Sequence, residues 1–488
     1  MKKGFWNLIG KVPVLVLAVA VGPVAMADGP ILQGGSSAPP VAPPSQSGPI
    51  QLIAMDSNTF DGNVIPPAVP AAPAAPAAPA EACAPVCAPA CSPSCFSSFP
   101  SCFCGCDGGC TFQFSPNSWC NVGAGIRTSF DSQSGTGVTD RNFFAVDDAR
   151  LFFTGKVTKV IGFEFNTDIS GSGGDGFFAF GPGGNTATSR VNLPDSIHLL
   201  DAIIKFEFND YANIWIGRML PPNDRSDLSG PFYINDWSYP FVSNYPGIFD
   251  GRDDGVAYWG QWLGQNGGQF KWQFGLYNGQ GRFTAGNDWP VGPANSPNTN
   301  GDPEFVMRVV ANLLDPEPGY YNASTYYGEK NIAAIGFSLT RQSDAMSSAD
   351  GRVGSFFGWN LDFLLENKMT AYGSGTFEAA YYRYDVGGDV AQDVAGSAYL
   401  LFAGWLLPQQ IGCEGFCGRF RPYARYQWYD RADYAVAAGN EDPREEWDLG
   451  AQFVIKGHNA RIDTYYGHQE LDGGGHDNLF RTGVQLIF

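Results

Sequence analysis

The residues best able to do chemistry in this sequence are eleven cysteines, nine of them in the first quarter of the chain. Those nine are Cys83, Cys87, Cys91, Cys95, Cys102, Cys104, Cys106, Cys110 and Cys120, and the last two of the eleven are Cys413 and Cys417. The first four recur at every fourth residue, but intervening prolines exclude the helix that would align them. In an oxidising compartment this pattern favours disulfides over a metal cluster. Because the cysteine count is odd, at least one thiol stays free, binds metal or links to another chain.

Catalytic groups are sparse elsewhere in the sequence. The chain has four histidines, which are scattered, and no serine neighbourhood resembles a nucleophile elbow. The histidines are His198, His458, His468 and His476. We therefore predict no enzyme activity, no cofactor and no metal centre.

The N-terminus has the features of a secretory signal, which we place at residues 1–27. Lys2 and Lys3 precede an apolar stretch over 12–21, and Ala25-Met26-Ala27 supplies a small-residue cleavage site. The alternative is a retained N-terminal anchor. Residues 28–82 then form a Pro/Ala-rich linker with a polyproline II repeat, and residues 83–120 form a cysteine-rich module.

From residue 121 to residue 488 the sequence alternates apolar and polar residues with the period of β-strands. In the last stretch Phe480, Val484 and Leu486 share one face, while Arg481 and Gln485 share the other. The candidate strands are about 122–130, 143–156, 158–169, 197–208, 211–219, 252–263, 269–278, 304–314, 330–341, 353–366, 373–385, 396–408, 417–430, 444–456, 459–469 and 479–488. These sixteen segments predict an all-β chain.

The connections between these strands mostly alternate between long and short, with 315–329 a long exception among the short ones. An even number of strands with short turns at one end and long loops at the other is typical of a transmembrane β-barrel. A soluble β-sandwich has no reason to alternate its loops in this way. We therefore predict a sixteen-stranded antiparallel barrel, preceded by a Pro/Ala-rich and Cys-rich periplasmic segment. The net charge of −19 excludes a nucleic-acid partner.

The loop at about 220–251 is the predicted constriction. It is rich in proline, aspartate and aromatic residues such as Phe232, Trp237 and Tyr239. Folding into the lumen would give these aromatic side chains a wall to pack against. The alternative is an external loop that contacts a neighbouring subunit.

Charged residues of both signs occupy the predicted inward faces of the strands. The bases are Arg150, Lys156, Lys205, Lys271, Arg308, Arg421, Arg425, Arg461 and Arg481, and the acids are Asp148, Glu164, Asp168, Asp201, Glu207, Asp362, Glu366, Glu378, Asp448 and Asp463. Arg421 and Arg425 are four residues apart, so they point the same way and form either a short basic ladder or pairs with lumenal carboxylates. The candidate pore-lining and constriction residues are Arg150, Arg218, Asp224, Arg225, Asp227, Asp236, Arg252, Arg308, Arg421, Arg425 and Arg481.

The sequence resembles the phosphate-selective porin O and P family over most of 141–488. The resemblance is carried by DARLFFTG at 148–155, DAII at 201–204, WIGRMLPP at 215–222, RDDGV at 252–256, FGLYNG at 274–279 and the final Phe488. It implies a homotrimeric sixteen-stranded channel among outer-membrane lipids, constricted by the loop after the fifth strand. It also implies that Phe488 is an assembly signal.

Three functions are consistent with the sequence. The first is a porin for passive diffusion of small hydrophilic or ionic solutes. The second is an anion- or phosphate-selective channel, against which the acidic constriction loop weighs. The third, of another class, is a structural cell-envelope protein whose barrel anchors a segment cross-linked through its cysteines to neighbours or to the cell wall.

Overall fold

A computed structural model describes residues 102–104, 110–136, 140–168, 197–243, 251–264, 267–279, 283–285, 302–348, 353–369, 371–387, 395–413, 415–431, 443–471 and 474–488. The predicted signal (1–27), the predicted linker (28–82), most of the predicted cysteine-rich module and residues 244–250 of the predicted constriction loop lie outside these ranges.

The described residues form twenty β-strands and one five-residue helix. The strands are β1 (Cys102–Cys104), β2 (Cys110–Ser115), β3 (Ser118–Gly135), β4 (Arg141–Lys156), β5 (Ile161–Asp168), β6 (His198–Asn209), β7 (Ala212–Met219), β8 (Asp253–Leu263), β9 (Gln269–Tyr277), β10 (Phe283–Ala285), β11 (Glu304–Asn312), β12 (Ile332–Ser348), β13 (Val353–Met369), β14 (Gly373–Val386), β15 (Gly396–Leu406), β16 (Gln410–Cys413), β17 (Phe416–Arg431), β18 (Pro443–Lys456), β19 (Ala460–Leu471) and β20 (His476–Ile487). The helix is α1 (Arg225–Ser229). In this part of the chain no helix has the length and apolar character to cross a membrane.

Sixteen of the strands close into one antiparallel barrel. Each of β3 to β9, β11 to β15 and β17 to β20 pairs with the next in that order, and β20 pairs back onto β3 from Asp477↔Gly135 to Ile487↔Gly125. The short strands β1, β2, β10 and β16 extend the rims. The predicted sixteen-stranded antiparallel barrel is confirmed. Its first strand begins at Ser118 and includes Cys120, the last residue of the predicted cysteine-rich module.

The barrel wall has an apolar outer face and a polar inner face. On β20, Phe480 is 44% exposed and points outwards, whereas Arg481 and Gln485 are 3% and 0% exposed and point into the lumen. The same alternation recurs on β9, where exposed Phe270 and Phe274 flank buried Lys271. The period-two reading of these strands is therefore confirmed.

The antiparallel order assigns every connection to one of two ends. We call the end that holds Ser118 and Phe488 the terminal end and the other the distal end. The connection after β7 enters from the distal end, and the connection between β11 and β12 enters from the terminal end. Residues 220–243, the distal insert, are largely buried, whereas residues 313–331, the terminal insert, are buried at Glu317, Tyr320, Ala323–Thr325, Tyr327 and Gly328.

Candidate pore and its constriction

The distal insert opens with helix α1, which Asp224 caps. The Asp224 carboxylate accepts a hydrogen bond from the backbone N–H of Asp227 at 2.8 Å, satisfying a donor that the first turn leaves unpaired. The hydroxyl of Tyr382, on the barrel wall, donates to the other Asp224 oxygen. Gly230 ends the helix with a φ of 65°, a conformation that glycine adopts readily. Asp224 and Asp227 therefore organise the insert and are buried within it.

Aromatic residues of the distal insert pack closely against the wall formed by β20 and β3. Trp237 is 1% exposed, and the guanidinium of Arg127 lies 4.3 Å from its ring centroid. A Cβ added to Gly483 would lie 2.6 Å from the Trp237 ring, so this approach requires glycine. Gly125 accommodates Phe232 in the same way. Trp237 and Phe232 thus lie inside the lumen and pack against its wall, as predicted.

Arg421 and Arg425 point into the lumen from β17, and both bind the distal insert. Arg421 donates to the carbonyl and side-chain oxygens of Asn235 at 2.8 and 2.6 Å. Arg425 donates to the Ser238 carbonyl at 2.6 Å and lies 2.8 Å from the Asp236 carboxylate. Burial raises the pKa of Asp236 to about 7, although Arg425 opposes the shift. The two arginines hold the insert rather than line open water.

The terminal insert meets the distal insert in the interior of the barrel. Arg225 makes a two-point contact with Glu317, Nη1 to Oε1 at 2.8 Å and Nη2 to Oε2 at 2.9 Å. Burial alone would raise the pKa of Glu317, but the charge and hydrogen bonds of Arg225 lower it to about 2. Arg225 also donates to the Ala323 carbonyl at 2.7 Å, and the hydroxyls of Ser229 and Ser324 lie 3.2 Å apart. The inserts thus share one hydrogen-bonded contact.

His458 joins both inserts to the turn between β18 and β19. Its Nδ1 lies 3.1 Å from the carbonyl of Phe232, and its Nε2 lies 2.8 Å from the carbonyl of Thr325. The ring lies between those of Tyr233 and Tyr327, with its centroid 4.9 Å from each and the planes tilted by 58° and 53°. Burial, together with nearby positive charge, lowers the pKa of His458 to about 3. The imidazole therefore bridges both inserts to this turn, and in its neutral form it can donate to only one of the two carbonyls.

The other inward-facing candidates lie in ion pairs along the wall. Arg150 contacts Asp148 at 2.7 Å, and Arg252 contacts Asp201 at 2.9 Å. Arg308 holds Asp362 through two nitrogens at 2.6 and 2.9 Å, and Arg481 holds Asp131 through two contacts of 2.6 Å. Each of these pairs balances charge locally.

Arg218 has a different position from the one predicted. Its register partner on β6, Ala202, shares the outward face with exposed Ile204, and Arg218 lies on that face too. Its guanidinium contacts Asp254 of β8 at 2.7 Å, and both side chains are substantially exposed. Arg218 therefore lies on the outer surface of the barrel and does not line the pore. The period of two places its side chain on the other face of β7 from the lumenal Trp215 and Met219.

The sequence did not predict that Glu317 and the terminal insert would also lie in the lumen. The available signal was the anomalous length of 315–329 among connections that are otherwise short at that end. The terminal insert supplies Tyr320, which stacks on Trp215 at 4.6 Å and donates to the Leu220 carbonyl at 3.1 Å.

Among the cysteines whose side chains are described, Cys110 and Cys417 are disulfide-bonded, and Cys120 and Cys413 are free thiols. In the hairpin formed by β16 and β17, Cys413 lies opposite Phe416 while Cys417 lies opposite Gly412. The two cysteines therefore point to opposite faces of the hairpin. Cys83, Cys87, Cys91, Cys95 and Cys106 lie outside the described residues. The described residues contain no cluster of His, Cys, Asp and Glu suited to a metal ion.

No family model matches the sequence, and no curated protein matches it. Solved structures with a similar chain trace include OmpT, an outer membrane protein of Vibrio cholerae in its trimer form, at 12% identity, TM-score 0.44, 76% of this chain and 100% of that one. The outer membrane channel DcaP of Acinetobacter baumannii matches at 14% identity, TM-score 0.44, 77% of this chain and 99% of that one. OprB of Pseudomonas putida matches at 9% identity, TM-score 0.48, 76% of this chain and 94% of that one.

Proposed function

We propose that this protein is an outer-membrane porin through which small hydrophilic or ionic solutes diffuse passively. The observation that carries the proposal is the closed barrel, with an apolar outer face and a charged lumen. A closed barrel leaves no unpaired strand edge, which is the condition for crossing lipid with strands. Outward side chains such as Phe274 and Leu486 are exposed and suit contact with lipid tails.

The topology supports an orientation with the terminal end in the periplasm. Barrels of this class have their short turns and both chain ends on the periplasmic side. The export signal at 1–27, the periplasmic position of the N-terminal segment and assembly as a homotrimer belong to the same proposal. We assign no catalytic role to the barrel.

General diffusion is favoured over anion or phosphate selectivity. An anion-selective pore needs lumenal bases that are free to meet the solute. Here Arg308, Arg425 and Arg481 are each paired with carboxylates and are at most 4% exposed. Reversal potentials of the reconstituted protein in a salt gradient, with chloride and then phosphate as the anion, test this preference.

Conductance across a planar lipid bilayer tests the porin proposal itself. Purified full-length protein should give stepwise, ohmic increases in current in simple salt solutions. A correctly folded barrel that never conducts would overturn the proposal.

A second candidate is a structural envelope protein whose barrel serves as an anchor. It is favoured by the two inserts, which bury most of the described lumenal wall, and by the exposed free thiol of Cys413 at the terminal end. In this case the protein would not conduct, and electrophoresis without reductant would show a ladder of linked chains. Identical migration with and without reductant would exclude intermolecular disulfides.

A further inference from the structure

Partly exposed ion pairs line the lumen on β4, β5 and β6 of the described wall. In the pairs Lys156–Glu207 and Lys205–Glu164, the side chains are 32 and 26% exposed and 11 and 15% exposed respectively. By contrast, Arg308 and Asp362 are 0 and 2% exposed. The more exposed pairs all involve β4, β5 and β6, whereas inward positions on β9 to β20 are almost all buried.

The positions of the two inserts explain this difference. The distal insert lies against β17 to β20 and β3, where it contacts Arg421, Arg425 and Arg481. The terminal insert lies against β9 and β13, where the Gln273 amide donates to the Tyr320 carbonyl and Glu366 accepts from Thr325. Neither insert covers the inward face of β4 to β6 near the terminal end.

The uncovered sector is bounded by aromatic residues. Tyr321 of the terminal insert is half-buried, and the charges of Glu164 and Asp201 act on its hydroxyl. From the distal insert, Phe232 packs edge-on against Phe152 of β4 at 5.9 Å. The Lys205 ammonium lies 4.0 Å from the centroid of Trp215, which forms the flank of this sector on β7.

Inward charges recur along β6 within this sector. Asp201, Lys205 and Glu207 are on the same face of the strand and span about 20 Å of rise. Asp201 pairs with Arg252, Lys205 with Glu164 at 2.6 Å, and Glu207 with Lys156 at 3.1 Å. The two pairs nearer the terminal end therefore offer a passing ion a charge of either sign, whereas Asp201 is buried.

We propose that the solute path runs off-axis past the terminal-end part of β4 to β6, and that the Lys205–Glu164 pair sets its ion preference. The proposal rests on the porin function and names the residues that determine its selectivity. Of the two pairs toward the terminal end, Lys205–Glu164 is the less exposed and lies deeper in the barrel, since Lys205 precedes Glu207 by two residues on β6. A cation passing this level interacts with Glu164 and an anion with Lys205, so removing either charge shifts the balance.

Charge-changing variants test this proposal in planar bilayers. Lys205→Glu should raise the permeability of potassium relative to chloride several-fold, and the double variant Lys205→Glu with Glu164→Lys should return it close to the original ratio. Arg218→Gln is the matched control, because it removes a paired arginine from the outer face. That variant should leave the ratio unchanged.

The outcomes separate this proposal from the porin function. A wild-type barrel without conductance overturns the porin function, whereas a conducting barrel in which Lys205→Glu behaves like Arg218→Gln overturns only the path. If Lys205→Glu does not fold, Lys156→Glu tests the same path at its more exposed pair and should shift permeability in the same direction. No shift in that variant would also overturn the path.

Discussion

Arg225 and Glu317 join two segments that enter the barrel from opposite ends. Their two parallel contacts of 2.8 and 2.9 Å are buried, with 1 and 2% of the side chains exposed. A bidentate arginine–carboxylate pair fixes both distance and orientation. The distal and terminal inserts are therefore joined inside the barrel in a geometry that depends on this pair.

Removing the charge of Glu317 should destabilise the constriction strongly. Glu317→Leu leaves the Arg225 guanidinium buried beside an apolar side chain, with Asp362 as a distant partner at 3.8 Å. We expect a loss of about 3–5 kcal/mol in the free energy of unfolding, measured by urea titration in lipid vesicles. The double variant Arg225→Leu with Glu317→Leu should recover part of this loss because no charge is left unpaired.

Glu329→Gln is the matched control, since Glu329 lies in the same insert and is exposed. It should change the free energy of unfolding little. Equal stabilities for wild type and Glu317→Leu would contradict a structural role for the Arg225–Glu317 pair.

Acid should weaken the contact between the inserts. The pKa of Glu317 is lowered to about 2, so its stabilising contribution is fully present above its ordinary value of 4.5 and is lost as the pH falls towards 2. The difference in unfolding free energy between wild type and Glu317→Gln should shrink across this window. A difference that stays constant from pH 6 to pH 2 would show that the carboxylate does not act through its charge.

His458 acts in the same direction over a higher range. Its pKa is lowered to about 3, so the neutral ring favours the folded state above its ordinary value of 6.5, and this contribution is lost as the pH falls towards 3. Replacing it by glutamine should flatten the fall in stability between these values. Asp236, with a pKa raised to about 7, opposes the trend, because its contribution is present below 3.8 and lost as the pH rises through 7.

A side chain at Gly483 should displace the distal insert. Its Cβ would lie 2.6 Å from the Trp237 ring, so Gly483→Val forces the ring and its loop away from the wall. We expect a loss of about 1–3 kcal/mol in unfolding free energy and noisier single-channel currents. Thr482→Ser, at the neighbouring outward position of β20, is the control, because it keeps the hydroxyl that lies 3.2 Å from that of Thr464, and it should change neither quantity.

Deletion of Phe488 should impair assembly without changing the pore. The Phe488 backbone donates to Ala124 at 2.9 Å and accepts from it at 2.7 Å, and its ring is 58% exposed on the outer surface. The yield of folded protein in the membrane should fall, while single-channel conductance of the molecules that do fold stays the same. A normal yield would count against an assembly role for this residue.

The cysteines of the β16–β17 hairpin should react differently with a maleimide. Cys413 is exposed and free, so it should be labelled in the folded protein without reductant. Cys417 is disulfide-bonded and should be labelled only after reduction. Mass spectrometry of the labelled peptides distinguishes the two sites, and labelling of Cys417 before reduction would contradict the disulfide.

The sequence by itself determined the barrel. Period-two alternation is a local property of each strand, and loop lengths follow the chain, so strand number, antiparallel order and the inward positions of Arg308, Arg425 and Arg481 could all be predicted. It also indicated the distal insert, because Trp237 and its aromatic neighbours need an apolar surface to pack against.

Only the tertiary structure decided how the lumen is filled. The terminal insert and the Arg225–Glu317 pair depend on contacts between residues far apart in the chain, 92 residues for Arg225 and Glu317 and 134 for Tyr327 and Arg461. No local pattern encodes such contacts, because the pairing of a charge is set by what lies opposite it across the lumen. For the same reason Lys205 and Glu164 are partly exposed to water, whereas Lys271 and Glu366, which face the terminal insert, are buried.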